Sequence, residues 1–268
     1  MSRFTVPSLL VLGAAWPALA ASPGALCVAL TTAPYDASAR FRAVHVDTLD
    51  PKLQSVFEEA RREWLKVLML HHTTDGRGYF LQRSGSTFLT LRSFNSFAEY
   101  DALRAFRAAV GERIGQDGER AGRQYDRGDV ALVSPHNSEV WSRLDDLDFP
   151  GEPPVLNEYT AGYLQMVLEQ VTSDDYASVW KEVRAALSAV HYPLGRVSFF
   201  SSLGSGKHIT FWLARSRAAF VGAGKPEQAV AKSLGAVRAA SLFARLKAAC
   251  SAVQVEEVIP RPELASPP

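Results

Sequence analysis

The sequence is poor in cysteine and methionine and carries almost no net charge. Among its 268 residues are two cysteines and three methionines, and the formal net charge is +1 at pH 7. This balance excludes the broad basic surface that binds nucleic acid or an anionic membrane. The sequence contains no H-E-x-x-H, C-x-x-C or G-x-S-x-G motif. It therefore lacks the common zinc signatures and the nucleophile elbow of the α/β-hydrolases.

The one long apolar run stands at the N-terminus. Arg3 precedes an apolar stretch from Phe4 to Trp16, and Ala18-Leu19-Ala20 presents the small residues that a signal peptidase reads. The run is shorter than the roughly 20 residues that a membrane-spanning helix needs. We therefore predict that residues 1–20 are a cleaved signal peptide. The mature chain would then have no membrane anchor, a formal charge of zero, and a periplasmic or secreted location.

The two cysteines, Cys27 and Cys250, both lie beyond the predicted signal peptide. In an oxidising compartment such a pair can form a disulfide. The bridge would tie the N-terminal segment to the last predicted helix. Two unpaired thiols are the alternative, because only the geometry of the folded chain decides between them.

The same order of predicted elements occurs twice along the chain. In each half an alternating strand is followed by an amphipathic helix, a hairpin, a second helix and a closing strand. The second helix of the second half is expected to run unbroken from Pro226 to about Ala249. Each first helix ends in histidine, at His71-His72 and at His191, before a Gly-Arg pair. The predicted strands are 41–48, 79–83, 87–92 and 130–134, then 163–171, 197–201, 208–214 and 253–259.

These elements divide the chain into six segments. After the signal peptide come an N-terminal segment at 21–40, a first repeat at 41–144, an acidic, proline-rich linker at 145–160, a second repeat at 161–260 and a disordered tail at 261–268. The echoes between the halves favour duplication over two unrelated α+β domains. A loop rich in arginine and glycine, at 112–129, would be a lid or, since its acids balance its charge, a solvated connection.

A β-α-β-β-α-β unit is ferredoxin-like, with a four-stranded antiparallel sheet and both helices on one face. Two such units can bury their remaining faces against each other. On this order of elements and on the spacing from helix to hairpin, residues 40–260 resemble the dimeric α/β-barrel superfamily. The similarity is to its fused, two-repeat members of the NIPSNAP and antibiotic-biosynthesis-monooxygenase type. It implies an α+β fold in which two repeats pack sheet to sheet as an intrachain barrel. It also implies a range of functions: cofactor-independent oxygenases, haem-binding enzymes, isomerases and ligand-binding proteins.

Alternation along the strands separates residues under the helices from residues facing the barrel. We expect the more apolar row, such as Ile209, Phe211 and Leu213, to lie under the helices. The opposite row would then line the barrel: His45, Asp47, Phe88, Arg92, Tyr163, Gln165, Glu169, His208 and Trp212. Aromatic walls with a few polar groups are typical of a small-molecule site. His45 beside a carboxylate could act as a general base, and Arg92 could hold an anionic group. A satisfied polar network is the alternative.

The sequence thus indicates an exported protein that binds a small, partly apolar molecule in its barrel. An oxidoreductase or isomerase using the same lining, either cofactor-free or with haem, is one alternative, and an envelope interaction scaffold is another. No metal or cofactor is predicted, because His71, His72 and His191 lie at helix C-termini, where a cationic side chain favours the helix dipole. Haem coordination by a histidine is the lesser possibility for a cofactor.

Overall fold

Strands from both halves of the chain join into one ring. The computed structural model describes residues 35–74, 78–83, 86–117, 119–120, 137–152 and 157–265. The strands are β1 (Phe41–Thr48), β2 (Tyr79–Arg83), β3 (Thr87–Phe94), β4 (Asn137–Arg143), β5 (Tyr163–Val171), β6 (Gly195–Leu203), β7 (His208–Ala214) and β8 (Cys250–Pro260). The α-helices around them are α1 (Gln54–Leu70), α2 (Phe97–Arg113), α3 (Asp175–Ala189), α4 (Arg217–Ala223), α5 (Pro226–Leu234) and α6 (Ala236–Ala248).

The ring is a closed antiparallel barrel in the order β1-β3-β2-β8-β5-β7-β6-β4. Each half contributes four adjacent strands in the ferredoxin-like order. The β2–β8 and β4–β6 ladders join the halves. This confirms the predicted α+β fold, in which two ferredoxin-like repeats pack as an intrachain barrel.

The barrel interior is a filled apolar core. Its buried side chains come from all eight strands: Val44, Tyr79, Leu81, Leu89, Leu91, Trp141, Leu164, Met166, Val197, Phe199, Ile209, Phe211, Leu213 and Val258. Alternation along the strands was predicted correctly, but the assignment of the two rows to the two faces was wrong. A closed eight-stranded barrel is just wide enough for side chains to fill it, so the most apolar row turns inward.

Helices pack on the outer face of the sheet in each half, and in the second half a glycine interrupts one predicted helix. In the second half α3, α5 and α6 pack together around Trp180, Val183 and Leu187 of α3. The single helix predicted from Pro226 to about Ala249 is instead two helices. Gly235 separates them with φ of 84°, a backbone angle that glycine adopts without steric cost.

A short 3-10 turn follows the last strand of each half and inserts a leucine. After β4 the turn Asp145–Leu147 buries Leu147 to 4% exposure, and after β8 the turn Pro262–Leu264 buries Leu264 completely. The start of the predicted linker and residues 261–265 of the predicted disordered tail are therefore packed, because each supplies an apolar side chain to a helix–sheet layer. The strand predicted at 130–134 lies outside the described residues, and β4 closes the first repeat.

The helix ends also repeat between the halves. His72 and His191 both adopt positive φ, at 46° and 53°, directly after α1 and α3 have ended. The next amide in each half donates back into the helix, from Thr73 to the Leu68 carbonyl at 2.9 Å and from Tyr192 to the Leu187 carbonyl at 3.1 Å. This is the hydrogen-bond pattern of a left-handed C-cap. The histidine echo in the sequence thus marks the same backbone turn twice.

Residues 1–34, with the predicted signal peptide and Cys27, lie outside the described residues, as do residues 121–129 of the predicted loop. Cys250 begins β8. The Cys27–Cys250 bridge stays a prediction, because Cys27 is not among the described residues. Within the described ranges, no helix is both long and apolar enough to cross a membrane.

Candidate functional site

The nine residues predicted to line the barrel lie on its outer, helix-facing side. Alternation places them opposite the inward row of Val44, Leu89, Leu164 and Phe211. Three of them contact helices directly: Phe88 meets Phe57 of α1, Trp212 meets Trp180 of α3, and Tyr163 meets Phe220 of α4. These aromatic residues pack between the helices and the sheet. The candidate site therefore lies not in the barrel interior, as predicted, but among polar groups at the ends of the helix–sheet layers.

In the second half such groups form what we term the His208 cluster: Glu169, Tyr176, Arg196, Phe200 and His208. The His208 ring lies edge-on between the rings of Tyr176 and Phe200, with 5.4 Å between centroids in both pairs. His208 and Phe200 are half-buried, so the cluster meets solvent at the strand ends. Glu169 is the cross-strand neighbour of His208. The cluster therefore combines aromatic surface with an imidazole and a carboxylate.

A buried guanidinium fixes the floor of the His208 cluster. Arg196 Nη2 donates to Tyr176 Oη at 3.1 Å and to Thr210 Oγ1 at 3.0 Å, and its Nη1 donates to the Leu147 carbonyl. The guanidinium lies 3.8 Å from the Trp180 ring centroid. Tyr176 Oη in turn donates to Glu169 Oε2 at 2.6 Å. Because these bonds hold Arg196 and Tyr176 in place, both residues act as positioning groups.

The electrostatics of the cluster favour a neutral histidine. Burial, together with the charge of Arg196, lowers the pKa of His208 below its usual value. Burial also raises the pKa of the Tyr176 hydroxyl, and burial with the Glu169 charge raises the pKa of the neighbouring Cys250 thiol to about 11. His208 makes no hydrogen bond to any described residue. The imidazole is thus uncharged at neutral pH and able to accept a hydrogen bond.

In the first half His45 and Asp47 do lie together, as the strand alternation predicted. His45 Nε2 is 3.1 Å from Asp47 Oδ1, and His45 Nδ1 is 3.1 Å from Ser138 Oγ. Asp47 is 2% exposed. Arg92 lies on the same face, next to Gly78. Sequence reasoning missed Ser138 because it placed the closing strand at 130–134, before β4.

Sequence reasoning also missed a buried ion pair at one end of the barrel. Arg42 donates to Glu158 Oε1 through Nε at 2.9 Å and through Nη2 at 2.7 Å, and both side chains are fully buried. Tyr35 Oη donates to the same oxygen at 2.8 Å, and Arg42 also donates to the carbonyls of Ala37 and Ala39. This cluster ties the segment before β1 across the barrel end. The sequence signal for this ion pair was the position of Arg42 two residues before Val44, which places both residues on the inward face of β1.

Comparison with known proteins shows similarity of structure without similarity of sequence. No protein-family model and no curated protein matches the chain. A proposed monooxygenase from Fusobacterium nucleatum subsp. nucleatum ATCC 25586 matches with a TM-score of 0.50 and 8% identity, over 83% of this chain and 92% of that one. The fold is that of the dimeric α/β barrel.

Two further solved structures match this chain at lower TM-scores. A variant of chlorite dismutase from Candidatus Nitrospira defluvii has a TM-score of 0.46 and 9% identity, over 85% of this chain and 93% of that one. A haem-binding protein from Thermus thermophilus has a TM-score of 0.42 and 12% identity over the same shares.

A haem needs a flat slot and an axial side chain. In the second half of this α/β barrel, Trp180, Trp212 and Tyr192 fill the layer between sheet and helices with edge-to-face ring contacts. Tyr176 and Phe200 enclose the His208 ring. The side chains of this layer do not fit a porphyrin. Within the described part of the chain, no group of three or more histidine, cysteine or carboxylate side chains could hold a metal ion.

Proposed function

We propose that this protein binds a small aromatic molecule that carries a hydrogen-bond donor, at the His208 cluster. The observation that carries the proposal is the His208 ring. It is half-buried between two aromatic side chains, its pKa is lowered, and it makes no hydrogen bond to any described residue. At this half-buried position a ligand donor can replace solvent at the imidazole nitrogen while its ring packs against the aromatic side chains.

The neighbours of His208 indicate which ligand class fits. Arg196 already has three hydrogen-bond acceptors and a stacked indole ring, so it offers little to an anionic ligand. Glu169 accepts from Tyr176 and repels a carboxylate. A neutral imidazole is a good acceptor for a phenolic hydroxyl, and the half-buried Phe200 ring offers an aromatic contact. A phenol is therefore favoured over an aromatic acid.

The probes 2-naphthol and its O-methyl ether, 2-methoxynaphthalene, test this proposal, because methylation removes the hydroxyl donor and leaves the aromatic rings unchanged. We expect the wild-type protein to bind 2-naphthol at least about tenfold more tightly by calorimetry, since one net hydrogen bond contributes about 1.4 kcal/mol. In His208→Leu the two affinities should become equal. The surface variant His191→Gln is the control. Equal affinities in the wild-type protein would contradict the proposal.

Acid–base catalysis on the bound phenol is a second candidate, because the half-buried His208 ring lies between two aromatic rings where a phenol could pack. A neutral imidazole can accept the hydroxyl proton, which makes the ring electron-rich and open to oxidation. Oxygen uptake in the presence of 2-naphthol, compared between wild type and His208→Gln, tests this step. Equal oxygen uptake by the two proteins would contradict catalysis and leave ligand binding as the only proposed function of the cluster.

We further propose that the protein works outside the cytoplasm, based on the signal-peptide pattern of residues 1–20. The expected mature chain begins at Ala21. N-terminal sequencing of the protein from its native compartment tests this, and an intact Met1 would contradict it.

A further inference from the structure

Ser138, His45 and Asp47 form a row of polar side chains in close contact on the outer face of the first-half sheet. Ser138 of β4 is the direct cross-strand neighbour of His45 of β1, and Asp47 lies two residues farther along the same face. The imidazole lies between the other two side chains, 3.1 Å from Ser138 Oγ through Nδ1 and 3.1 Å from Asp47 Oδ1 through Nε2. A nucleophile, a base and an orienting carboxylate are thus in hydrogen-bond contact.

The carboxylate determines the tautomer of the imidazole. An ionised carboxylate accepts hydrogen bonds and donates none, so the nitrogen that faces Asp47 must carry the proton. The lone pair of the neutral ring then lies on Nδ1, facing Ser138. The Ser138 hydroxyl can therefore donate its proton to His45. This is the direction of transfer that activation of a serine requires.

Exposure of the side chains also increases in the order that this chemistry needs. Asp47 is 2% exposed, the His45 side chain is 33% exposed and Ser138 is exposed. Burial of the carboxylate strengthens its hold on the ring, and exposure of the hydroxyl lets a substrate carbonyl approach. Because two rigid, neighbouring strands carry the three residues, the sheet fixes their spacing.

We propose that Ser138 is a nucleophile for acyl transfer from activated esters of small acids, with His45 as general base and Asp47 as the residue that orients it. Ser138 Oγ bonds to the ester carbonyl carbon while its proton moves to His45 Nδ1. The carbon–oxygen bond to the leaving alcohol then breaks, and the alcohol takes that proton. Water next attacks the acyl-serine, passes one proton to His45, and releases the acid as the proton returns to Ser138. No oxidant or cofactor enters this balance.

A fluorophosphonate probe tests the nucleophile directly. Ser138 Oγ would bond to phosphorus, fluoride would leave, and the serine proton would pass through His45 to solvent. We expect peptide mass spectrometry to find the label on Ser138 in the wild-type protein and to find none in Ser138→Ala. Ser142→Ala is the matched control, because Ser142 lies on the same strand and face, bonded to Ser202 rather than to a histidine. Absence of the label from wild-type Ser138 would overturn the proposal.

The role of the imidazole has its own test. General-base assistance contributes about 10²- to 10⁴-fold, so His45→Gln should slow labelling and 4-nitrophenyl acetate hydrolysis by at least about 100-fold. Asp47→Asn should also slow both, since an amide can favour the wrong tautomer. Asp47 is buried, so circular dichroism must show that Asp47→Asn is folded. If Asp47→Asn does not fold, the variant of the partly exposed residue, His45→Gln, tests the proposal by itself. Unchanged rates in folded His45→Gln would overturn the proposal, whereas the surface variant His191→Gln should leave labelling intact.

Discussion

Asp47 and Glu169 occupy equivalent places in the two halves, yet their neighbours differ. Asp47 pairs across the sheet with Phe88, and Glu169 pairs with His208. Two residues earlier on the same strands stand His45 and Val167. In the first half the carboxylate orients an imidazole of its own strand, and in the second it accepts from a tyrosine of the covering helix.

The difference extends to the next strand. Ser138 precedes Leu147 by the same number of residues as Val255 precedes Leu264. Across the sheet Ser138 faces His45, and Val255 faces Val167. Where the first half carries a row of polar groups, the second carries valines. The two halves thus share a backbone plan but differ in the residues at the sheet ends, and each half has its own candidate chemistry.

The leucine turns show what has been kept. Leu144 N–H bonds to the Ser198 carbonyl, and Arg261 N–H bonds to the Phe80 carbonyl at the same place in the other half. The buried leucine carbonyl accepts from a guanidinium in both halves, but Arg196 comes from a strand and Arg61 from a helix. A buried donor at this point is therefore retained although its origin along the chain has changed.

The largest expected effect tests the equivalence of the turns. Leu264→Ala and Leu147→Ala should each lower the free energy of unfolding by about 2–5 kcal/mol, because each leaves a cavity between helix and sheet. Urea unfolding measures the loss. The exposed Leu203→Ala is the control and should change it by less than about 0.5 kcal/mol. A small effect at only one of the two leucines would break the comparison.

A smaller effect is expected from exchanging aromatic residues between the halves. Tyr176 and Phe57 begin the buried faces of α3 and α1. Tyr176→Phe removes the hydroxyl that joins Arg196 to Glu169 and should cost about 1–2 kcal/mol. Phe57→Tyr should cost a similar amount, because it would bury a hydroxyl against Phe88. Urea unfolding of both variants measures these losses. If Phe57→Tyr instead stabilised the protein, the first half would contain a hydrogen-bond partner for the new hydroxyl.

The pH dependence of stability should distinguish the halves further. The pKa of His208 is lowered by burial from an ordinary value near 6.5. Below that value the unfolded chain binds a proton that the folded chain does not. Stability is therefore full above about pH 6.5 and falls as the pH drops toward the folded pKa. Unfolding free energies between pH 5 and 7.5 should show a shallower slope in His208→Gln, and an identical slope would contradict the lowered pKa.

The smallest effect concerns the helix ends. His72 and His191 hold left-handed backbone angles that glycine adopts without steric cost. His72→Gly and His191→Gly should each stabilise the protein by about 0.5 kcal/mol, with the smaller gain at His191, whose ring bonds to Glu152. Thermal denaturation measures both. Destabilisation of both variants would mean that the imidazoles contribute more than the backbone strain costs.

Local pattern was enough to predict the repeated fold, because alternating strands and histidine-ended helices depend on near neighbours in sequence. The face of each strand was not predictable in this way. Which row turns inward depends on ring closure through the β2–β8 and β4–β6 ladders, between residues far apart in sequence. For the same reason Ser138, brought to His45 by β4, and Glu158, brought to Arg42 across the barrel, were invisible to periodicity. The break at Gly235, by contrast, has a local signal, since glycine adopts the required positive φ without steric cost.

The turn that carries Leu264 determines when the first half can finish folding. Leu264 completes the cluster of Phe57, Phe80 and Phe88, and its carbonyl bonds to Arg61, 203 residues earlier in the chain. A ribosome that adds about 5–20 residues per second needs roughly 10–40 s to cover that distance. Throughout that interval the nascent first half lacks a core residue and its β8 neighbour. Its core therefore cannot be completed before the end of the second repeat has emerged.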